Sequence, residues 1–252
     1  ACSYSGNTEE TLDAFYQCLE QNSQIIIFTT GGKLKKCAEK YKIDCIQLPK
    51  GYQPRAAIGF ALALLPLVLN KIGFVNNIII KDIYNSISSI KSLSVKLNKP
   101  NNIALDIAKK IHRTCPIIYG TEDLTGVIAF RFRCQLAENA KMLAFHHNFP
   151  EQNHNEIEGW TSNANIFNNF SIIWIRDIDD HSGIKKRMDV SYSLLESKPS
   201  THIVIDQTGI NKIQRLLKLI HLTDWISYYT ALLNNVDPTP VEIIETLKSK
   251  IN

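Results

Sequence analysis

The sequence predicts an α/β protein built on parallel sheets, and two observations support this prediction. Short runs rich in isoleucine, valine and aromatic residues alternate with helical patterns in two stretches of the chain, as in proteins whose strands are joined by crossover helices. In both stretches a glycine or hydroxyl turn follows the strand-like run. With 252 residues, 44% of them hydrophobic, the chain can bury a sizeable core as one large or two modest domains.

The first stretch predicts two strands and the helices around them. After a helix that begins near Thr8, the expected elements are a strand over Gln24–Thr30, a Gly31-Gly32 turn, a helix over Lys33–Lys42 and a strand over Ile43–Leu48. The apolar run AAIGFALALLPLVL, from Ala56 to Leu69, follows them. It is shorter than the roughly 18 residues of a membrane span and Pro66 interrupts it, so we interpret it as a core helix.

The second stretch repeats this order after a polar segment, Val75–Lys99, that has helical spacing. Its expected elements are a strand over Cys115–Thr121, a helix over Leu124–Phe145, a strand over Phe170–Asp177, a helix over Gly183–Leu195, a strand over Thr201–Gln207 and a helix over Asn211–Leu233. The two stretches share this architecture without an obvious sequence repeat.

Charge and cysteine content narrow the possible functions. The net charge of +4 is spread along the chain without a run of basic residues, which argues against nucleic acid as a partner. The six cysteines form no CxxC pair, which favours free thiols in a reducing, cytoplasmic compartment over disulfides or a zinc site. We therefore expect no nucleic acid as a partner, and the short apolar run described above argues against a membrane as a partner.

A cluster of hydroxyl residues near the start predicts an anion site. The string SYSGNTEET groups Ser3, Ser5 and Thr8 around Gly6 and Asn7, directly before a helix. In parallel α/β sheets, ligands bind beyond the carboxyl ends of the strands, where helix N-termini offer N–H groups and partial positive charge. Three hydroxyls and a closely approachable backbone suit a phosphate. The alternative is that Thr8 is an ordinary helix N-cap.

The same string resembles the phosphate-binding turn of sugar isomerase (SIS) domains. Three further segments are similar to the bifunctional phosphoglucose/phosphomannose isomerases of archaea and some bacteria, which have two SIS domains in tandem. These segments are PRAAIG at Pro54–Gly59, AENAKMLAFHHNFPEQNHNEIEGW at Ala137–Trp160 and DPTPVEIIETLK at Asp237–Lys248. The resemblance implies two flavodoxin-like domains with parallel sheets, and a homodimer with shared active sites.

Members of that family carry a further region before the hydroxyl turn, whereas only Ala1 and Cys2 precede Ser3 here. We therefore expect the sequence to begin inside the first SIS domain. The expected organisation is the C-terminal part of the first SIS domain over residues 1–74, a helical connector over 75–100, a second SIS domain over 101–235 and a C-terminal active-site helix over 236–252.

The resemblance implies a reaction that moves a proton between C2 and C1 of a sugar phosphate through an enediolate. Glu138, in a predicted helix among apolar and small residues, is the candidate base. The pattern alone equally allows a surface glutamate paired with Lys141 at i,i+3 spacing, and the resemblance favours the base.

The remaining candidates follow from the resemblance. His154 would transfer protons during ring opening, although His146 and His147 compete for the role and all three could form a zinc site. Arg55 would face the enediolate oxygens, unless it is a simple helix-start arginine. The last two candidates lie near the C-terminus. Lys248, with Lys250 as a near neighbour, would assist in proton transfer at the ring oxygen. Thr239 would leave room for both C2 epimers.

Two functions follow from these patterns. The first is an aldose–ketose isomerase that converts glucose 6-phosphate and mannose 6-phosphate to fructose 6-phosphate, with no metal or organic cofactor. The alternative is an SIS-type regulatory module that binds a sugar phosphate without catalysis. A module of that kind needs the hydroxyl turn but has no use for Glu138 together with His154, so the sequence favours the enzyme.

Overall fold

The computed structural model describes residues 1–162 and 164–251 and shows two compact units. The first covers Ala1–Ile80, and the second begins at Lys81. Each unit is built from parallel strands with helices between them, so the predicted α/β class is confirmed. Among the described residues, no helix combines the length and apolar character that a membrane crossing requires.

The first unit contains a two-stranded parallel sheet of β1 (Ile26–Thr29) and β2 (Asp44–Gln47). Its helices are α1 (Glu9–Glu20), α2 (Gly32–Tyr41), α3 (Ile58–Lys71) and the start of α4 (Asn77–Leu97). Apolar side chains of α1, β1 and α2 form its core, in which Phe15, Ile27 and Leu34 are at most 1% exposed. Both predicted strands and the helix between them lie where the sequence indicated.

The apolar helix α3 is not the core helix that the sequence led us to expect. It continues through Pro66, and no residue of α3 is buried within the described chain. Leu65 is 50% exposed and Leu67 is 42% exposed. An apolar run predicts that a helix would be stabilised by burial, but burial also needs neighbouring elements that cover it.

The second unit contains a four-stranded sheet in which every pair is parallel, in the order β4-β3-β5-β6. The strands are β3 (Cys115–Thr121), β4 (Phe145–Phe149), β5 (Phe170–Ile175) and β6 (Thr201–Ile205). The helices that follow α4 are α5 (Ile103–Ile111), α6 (Gly126–Ala140), α7 (Ala164–Phe167), α8 (Ser182–Leu195), α9 (Lys212–Leu233) and α10 (Glu242–Ile251).

Alternate strand residues divide the second unit into two core layers. Ile118 and Ile173 pack with apolar residues of α5, α6 and α9, whereas Tyr119 and Trp174 pack with residues of α8 on the other face. Successive side chains of a strand point to opposite faces, which explains this division. A parallel sheet buried on both faces is the arrangement expected for an α/β fold.

One predicted helix, Leu124–Phe145, is wrong at its C-terminal end. Helix α6 ends at Ala140 because Lys141 adopts a left-handed backbone conformation with φ of 55°. The chain then forms the strand β4, so His146 and His147 lie on an edge strand rather than in a loop. Glycine is the usual residue at such a helix end, and a lysine there gives no sequence signal.

Candidate active site

The hydroxyl turn lies at the carboxyl end of β1, as predicted for an anion site. Residues Ala1–Tyr4 run parallel to β1: the Phe28 amide donates to the Ala1 carbonyl (2.9 Å), and the Ser3 amide donates to the Phe28 carbonyl (3.1 Å). The turn therefore begins where a strand of the sheet would end. This is the position at which parallel α/β proteins bind ligands.

Hydrogen bonds hold the hydroxyls of this turn together. The Ser3 and Thr8 hydroxyl oxygens are 2.8 Å apart, and the Gly6 amide donates to Ser3 Oγ (3.1 Å). Thr8 occupies the N-cap position of α1, but its hydroxyl bonds to Ser3 and not to an amide of the helix. Ser3 is buried, whereas Ser5 and Thr8 are exposed. Ser5 and Thr8 are therefore the hydroxyls most open to a ligand.

Two glycines allow the hydroxyl turn to pack backbone against backbone on the turn after β1. Gly6 and Gly32 both have left-handed backbones, with φ of 71° and 69°. A Cβ on Gly6 would lie 1.9 Å from the Gly31 carbonyl oxygen, and one on Gly32 would lie 2.4 Å from the Ser5 carbonyl oxygen. No side chain fits between the turns, so their separation is fixed by main-chain contact.

Asn7 has a structural role that the sequence did not reveal. Its side-chain oxygen accepts a hydrogen bond from the Lys33 amide (3.0 Å) in the first turn of α2. Glu9 and Glu10 lie in the first turn of α1, where their charge favours the helix dipole but repels a bound anion. A phosphate at this turn would therefore depend on close amide and hydroxyl donors rather than on net positive charge.

Arg55 lies in a 3-10 turn, Pro54–Ala56, ahead of α3. The sequence predicted that Arg55 would be at the start of the apolar helix itself, but α3 begins at Ile58, with Ala57 as its N-cap. Arg55 is half-buried. The short turn separates Arg55 from the partial positive charge at the N-terminus of α3, which makes a cation there less costly.

In the second unit, Glu138 lies near the C-terminal end of α6, half-buried. Polar contacts fix α6 against α9: Arg131 Nη2 donates to both carboxylate oxygens of Asp224 (3.0 and 2.8 Å), and Asn139 Nδ2 donates to Ser227 Oγ (2.9 Å). The helix that carries Glu138 is therefore held by contacts on both sides of that residue.

Glu138 borders a cavity of about 620 Å³ between the end of α6 and the segment that leads into α10. Apolar side chains dominate its wall, including Met142, Leu143, Val236 and Ile243. The cavity is open to solvent, since Leu143 and Ile243 are exposed, and a carboxylate at its wall is placed where it could act as a base on a bound ligand. This cavity is where the second unit brings its candidate base and its C-terminal segment together.

Lys141 joins the two sides of the cavity. Its ammonium donates to the carbonyl oxygens of Glu138 and Pro240, both at 2.6 Å. The Thr239 amide donates to Asp237 Oδ1 (2.7 Å), and this hydrogen bond is the main reason that the pKa of Asp237 is lowered. Thr239 therefore lies in a local Asp-Pro-Thr turn next to the cavity, itself exposed.

Lys248 lies on α10 (Glu242–Ile251), one to two turns beyond the residues of that helix that line the cavity. Lys248 is exposed. Lys250 is exposed on the same helix. The structure thus confirms that both lysines are helical and leaves the choice between them as a prediction.

His154 ends a short 3-10 helix, Glu151–His154, and is exposed. It is not among the described residues that line the Glu138 cavity. His146 packs against Phe130 with ring centroids 5.2 Å apart, and burial followed by the nearby Arg133 lowers its pKa. His147 Nδ1 donates to Glu156 Oε2 (2.8 Å).

The zinc alternative does not fit this geometry. His146 and His147 are successive residues of β4, so their rings point to opposite faces of the sheet. Among residues 1–162 and 164–251, no group of three or more His, Cys, Asp or Glu side chains could hold a metal ion. His154, the exposed histidine of the three, remains the better candidate for proton transfer.

The carboxyl edge of the second sheet carries buried polar residues that the sequence analysis did not single out. Thr125 Oγ1 accepts from the Thr121 amide (2.9 Å) and donates to the Ile175 carbonyl (3.0 Å), and Thr121 donates to Asp180 (3.0 Å). Burial raises the pKa of Asp180. A second cavity, of about 430 Å³, lies at this edge, and both acidic residues (Glu122, Asp123) and basic residues (His181, Lys212) line it.

Comparison with known proteins identifies the chain's relatives. A family model of the bacterial phosphoglucose isomerase C-terminal SIS domain matches residues 100–251. The bifunctional phosphoglucose/phosphomannose isomerase of Caldicellulosiruptor bescii is 38% identical over 254 residues, which is 100% of this chain and 75% of that protein. The protein of the same name from Aquifex aeolicus is 35% identical over 249 residues, 99% of this chain and 74% of that protein.

A solved structure shows the same fold at low identity. A hypothetical protein from Thermus thermophilus matches with a TM-score of 0.72 at 15% identity, over 99% of this chain and 70% of that chain. Parallel sheets and the matched domain model define an SIS-domain protein. The identity to named relatives over the whole chain is more specific: this chain belongs to the bifunctional phosphoglucose/phosphomannose isomerase family. The resemblance seen in four sequence segments is confirmed.

Proposed function

We propose that this protein is an aldose–ketose isomerase that interconverts glucose 6-phosphate and mannose 6-phosphate with fructose 6-phosphate. The observation that carries this proposal is the 38% identity to a bifunctional phosphoglucose/phosphomannose isomerase along the entire chain. The cavity beside Glu138 supports it, because an isomerase needs a carboxylate at the wall of a pocket that admits a sugar.

Three tasks at the reacting atoms have candidate residues. Glu138 removes the C2 proton of the open-chain aldose and returns it to C1, while the hydroxyl proton passes from O2 to O1. Arg55 stabilises the negative charge that develops on the enediolate oxygens. His154 and Lys248 transfer protons to and from the ring oxygen during opening and closure.

The phosphate and the C2 substituent are the remaining features of the substrate. Ser3, Ser5 and Thr8 bind the phosphate, which their position at the carboxyl end of β1 and the start of α1 supports. Thr239 allows both C2 epimers to fit, which its place beside the cavity wall supports. Inhibition of isomerisation by added inorganic phosphate, competitive with substrate, would test the phosphate assignment.

The Glu138→Gln variant tests the proposed base. Glutamine keeps the shape of the side chain but cannot accept the carbon-bound proton, so we expect kcat to fall about 100-fold or more with substrate binding retained. Glu196→Gln, an exposed glutamate at the end of α8, is the matched control and should leave kcat unchanged. Near wild-type kcat in Glu138→Gln would refute the assignment. Tight binding of the sugar phosphates by wild-type protein without any turnover would favour the regulatory module instead.

We also propose a homodimer in which His154 serves the active site of the partner subunit. The exposure of His154, outside the cavity that Glu138 borders, supports this arrangement. Mixing inactive Glu138→Gln and His154→Ala chains tests it, because half of randomly mixed dimers would contain one intact site, restoring about a quarter of wild-type activity. A mixture as inactive as its components would contradict shared sites.

The proposed organisation is a first SIS domain represented by residues 1–74, a connector over 75–100, a second SIS domain over 101–235 and a C-terminal active-site segment over 236–252 that contains α10. The matched domain model over residues 100–251 supports the second of these. A cytoplasmic location agrees with the six cysteines, all of which are free thiols. Limited proteolysis that cleaves first between residues 75 and 100 would support the connector.

A further inference from the structure

The exposed ring of His154 projects from a segment whose neighbouring side chains are fixed. Asn153 Nδ2 donates to Ser191 Oγ of α8 (2.8 Å), and Asn155 Nδ2 donates to Glu151 Oε1 (2.7 Å). Gln152, within the same 3-10 helix, is fully buried. A surface histidine is ordinarily free to choose among rotamers and backbone positions, whereas here the backbone on both sides of His154 is held.

Glu156, two residues beyond His154, connects this segment to the sheet. Tyr119 of β3 donates its hydroxyl to Glu156 Oε1 (2.5 Å), and His147 of β4 donates Nδ1–H to Glu156 Oε2 (2.8 Å). Tyr119 and His147 are direct partners in the β3–β4 register. Each carboxylate oxygen therefore receives a hydrogen bond from a different strand, and both donors lie on one face of the sheet.

The donors themselves are held in place. Tyr119 is fully buried, and burial together with the charge of Glu156 raises its pKa, so the phenol remains a neutral donor. Trp160 Nε1, from the 3-10 helix that begins at Glu156, donates to the Tyr119 oxygen (3.2 Å). A charged acceptor with two donors from a rigid sheet is a strong anchor, since charge-assisted hydrogen bonds are about twice as strong as neutral ones.

We propose that Glu156 is a positioning residue for His154, and that its bonds to Tyr119 and His147 hold residues 151–156 so that the His154 imidazole meets the substrate in one orientation. This inference rests on the proposed isomerase function. Glu156 does not touch the substrate in this scheme and transfers no proton. Its contribution is to remove conformational freedom from the segment that bears the imidazole.

Glu156→Ala should therefore lower kcat by about 10- to 100-fold, as expected for a misplaced catalytic group, with KM changed less than about threefold. Glu156→Gln can still accept from Tyr119 and should recover most of the activity. Glu158→Ala, at an exposed glutamate in the same 3-10 helix, is the matched control and should behave as wild type. Tyr119→Phe, which removes one donor and keeps the ring, provides a second variant should Glu156→Ala not fold.

A double-mutant cycle separates positioning from a general loss of structure. If Glu156 acts through His154, then Glu156→Ala should cause less than about a twofold further loss in a His154→Ala background. The same 10- to 100-fold loss in both backgrounds would overturn the proposal. If Glu156→Ala alone, with His154 intact, has the same kcat as the wild type, the proposal is overturned as well.

Amide hydrogen exchange provides a readout that does not depend on activity. Residues 151–161 should exchange at least about tenfold faster in Glu156→Ala than in wild type, with the Glu158→Ala control unchanged. Unaltered exchange of this segment would overturn the positioning role even if isomerase activity is present. Conversely, an absence of turnover in wild-type protein would refute the proposed function, and the exchange result would still decide whether Glu156 holds the segment.

Discussion

Removing Arg215 should destabilise the second unit strongly, because it would leave a carboxylate buried without its partner. Arg215 donates from Nε and Nη2 to the two oxygens of Asp177 at 2.8 and 2.9 Å. The side chains are 7% and 0% exposed. Deleting one partner of a buried ion pair typically costs about 3–5 kcal/mol, and we expect a loss in this range for Arg215→Met.

Tryptophan fluorescence is a suitable assay because the three tryptophans of the chain, Trp160, Trp174 and Trp225, all belong to the second unit. With a denaturant slope of about 2–3 kcal/mol per molar urea, the unfolding midpoint of Arg215→Met should fall by about 1–2.5 M. The control is Arg176→Met, which breaks a more exposed pair with Asp189 and should cost at most about 1 kcal/mol.

The pH dependence of this loss distinguishes an unpaired charge from a loss of packing. In the wild-type protein burial acts to raise the pKa of Asp177, but hydrogen bonds from Arg215 and the Asp179 amide outweigh it, so the pKa is lowered. The stabilisation is therefore present above the ordinary value of 3.8 and is lost as the pH falls through the folded pKa. In Arg215→Met the carboxyl can instead take up a proton, so the penalty should shrink between about pH 7 and pH 4.5.

Neutralising both partners provides the decisive comparison. Asp177→Asn combined with Arg215→Met removes the buried charge and should recover more than about half of the lost stability. If the double variant is as unstable as Arg215→Met at neutral pH, or if the penalty of Arg215→Met is independent of pH, the ion pair is not the source of the stability and the reasoning is refuted.

Three further predictions concern the hydroxyl turn and a half-buried histidine. Gly6→Ala should destabilise the first unit by more than about 2 kcal/mol in chemical denaturation, because its Cβ would collide with the Gly31 carbonyl. The control is Gly59→Ala, whose Cβ meets no atom within 4 Å and which should be neutral or stabilising. Equal stability of the two variants would contradict this. Ser5→Ala should weaken binding of fructose 6-phosphate by about 1–3 kcal/mol in calorimetric titration, and an unchanged affinity would move the phosphate elsewhere. Burial lowers the pKa of His202, so the free energy of unfolding should decrease as the pH falls below the ordinary value of 6.5. The His202→Gln variant should therefore lose less stability than the wild type between about pH 7.5 and pH 5. An equal loss in both proteins would exclude His202 as a source of this pH dependence.

The strands were the most predictable part of the fold. The run Cys115–Thr121 matches β3 residue for residue, because a continuous apolar run bounded by turn residues describes a strand buried on both faces. β4 was missed because FHHNF lacks that signature, and because a left-handed lysine ended the preceding helix. The composition of FHHNF is a local property of the sequence, whereas a left-handed backbone at a lysine has no signature in the sequence.

The candidate site, like the fold, was predictable only in part. Glu138 was located from a motif, and the structure supplies the cavity and the C-terminal segment beside it, nearly 100 residues away in sequence. The bonds of Glu156 to Tyr119 and His147 could not have been predicted, because they depend on the register of β3 and β4. Sequence patterns describe single elements well, but they do not describe which side chains neighbouring strands bring together.

The main-chain contact between Gly6 and the turn after β1 has a consequence for how quickly a phosphate ester would bind at the proposed site. Because main-chain contacts fix the conformation of this turn, we expect that a ligand binds without a preceding rearrangement. In stopped-flow mixing, the observed association rate should then rise in proportion to ligand concentration without reaching a plateau, and its size should be governed by diffusion and ionic strength.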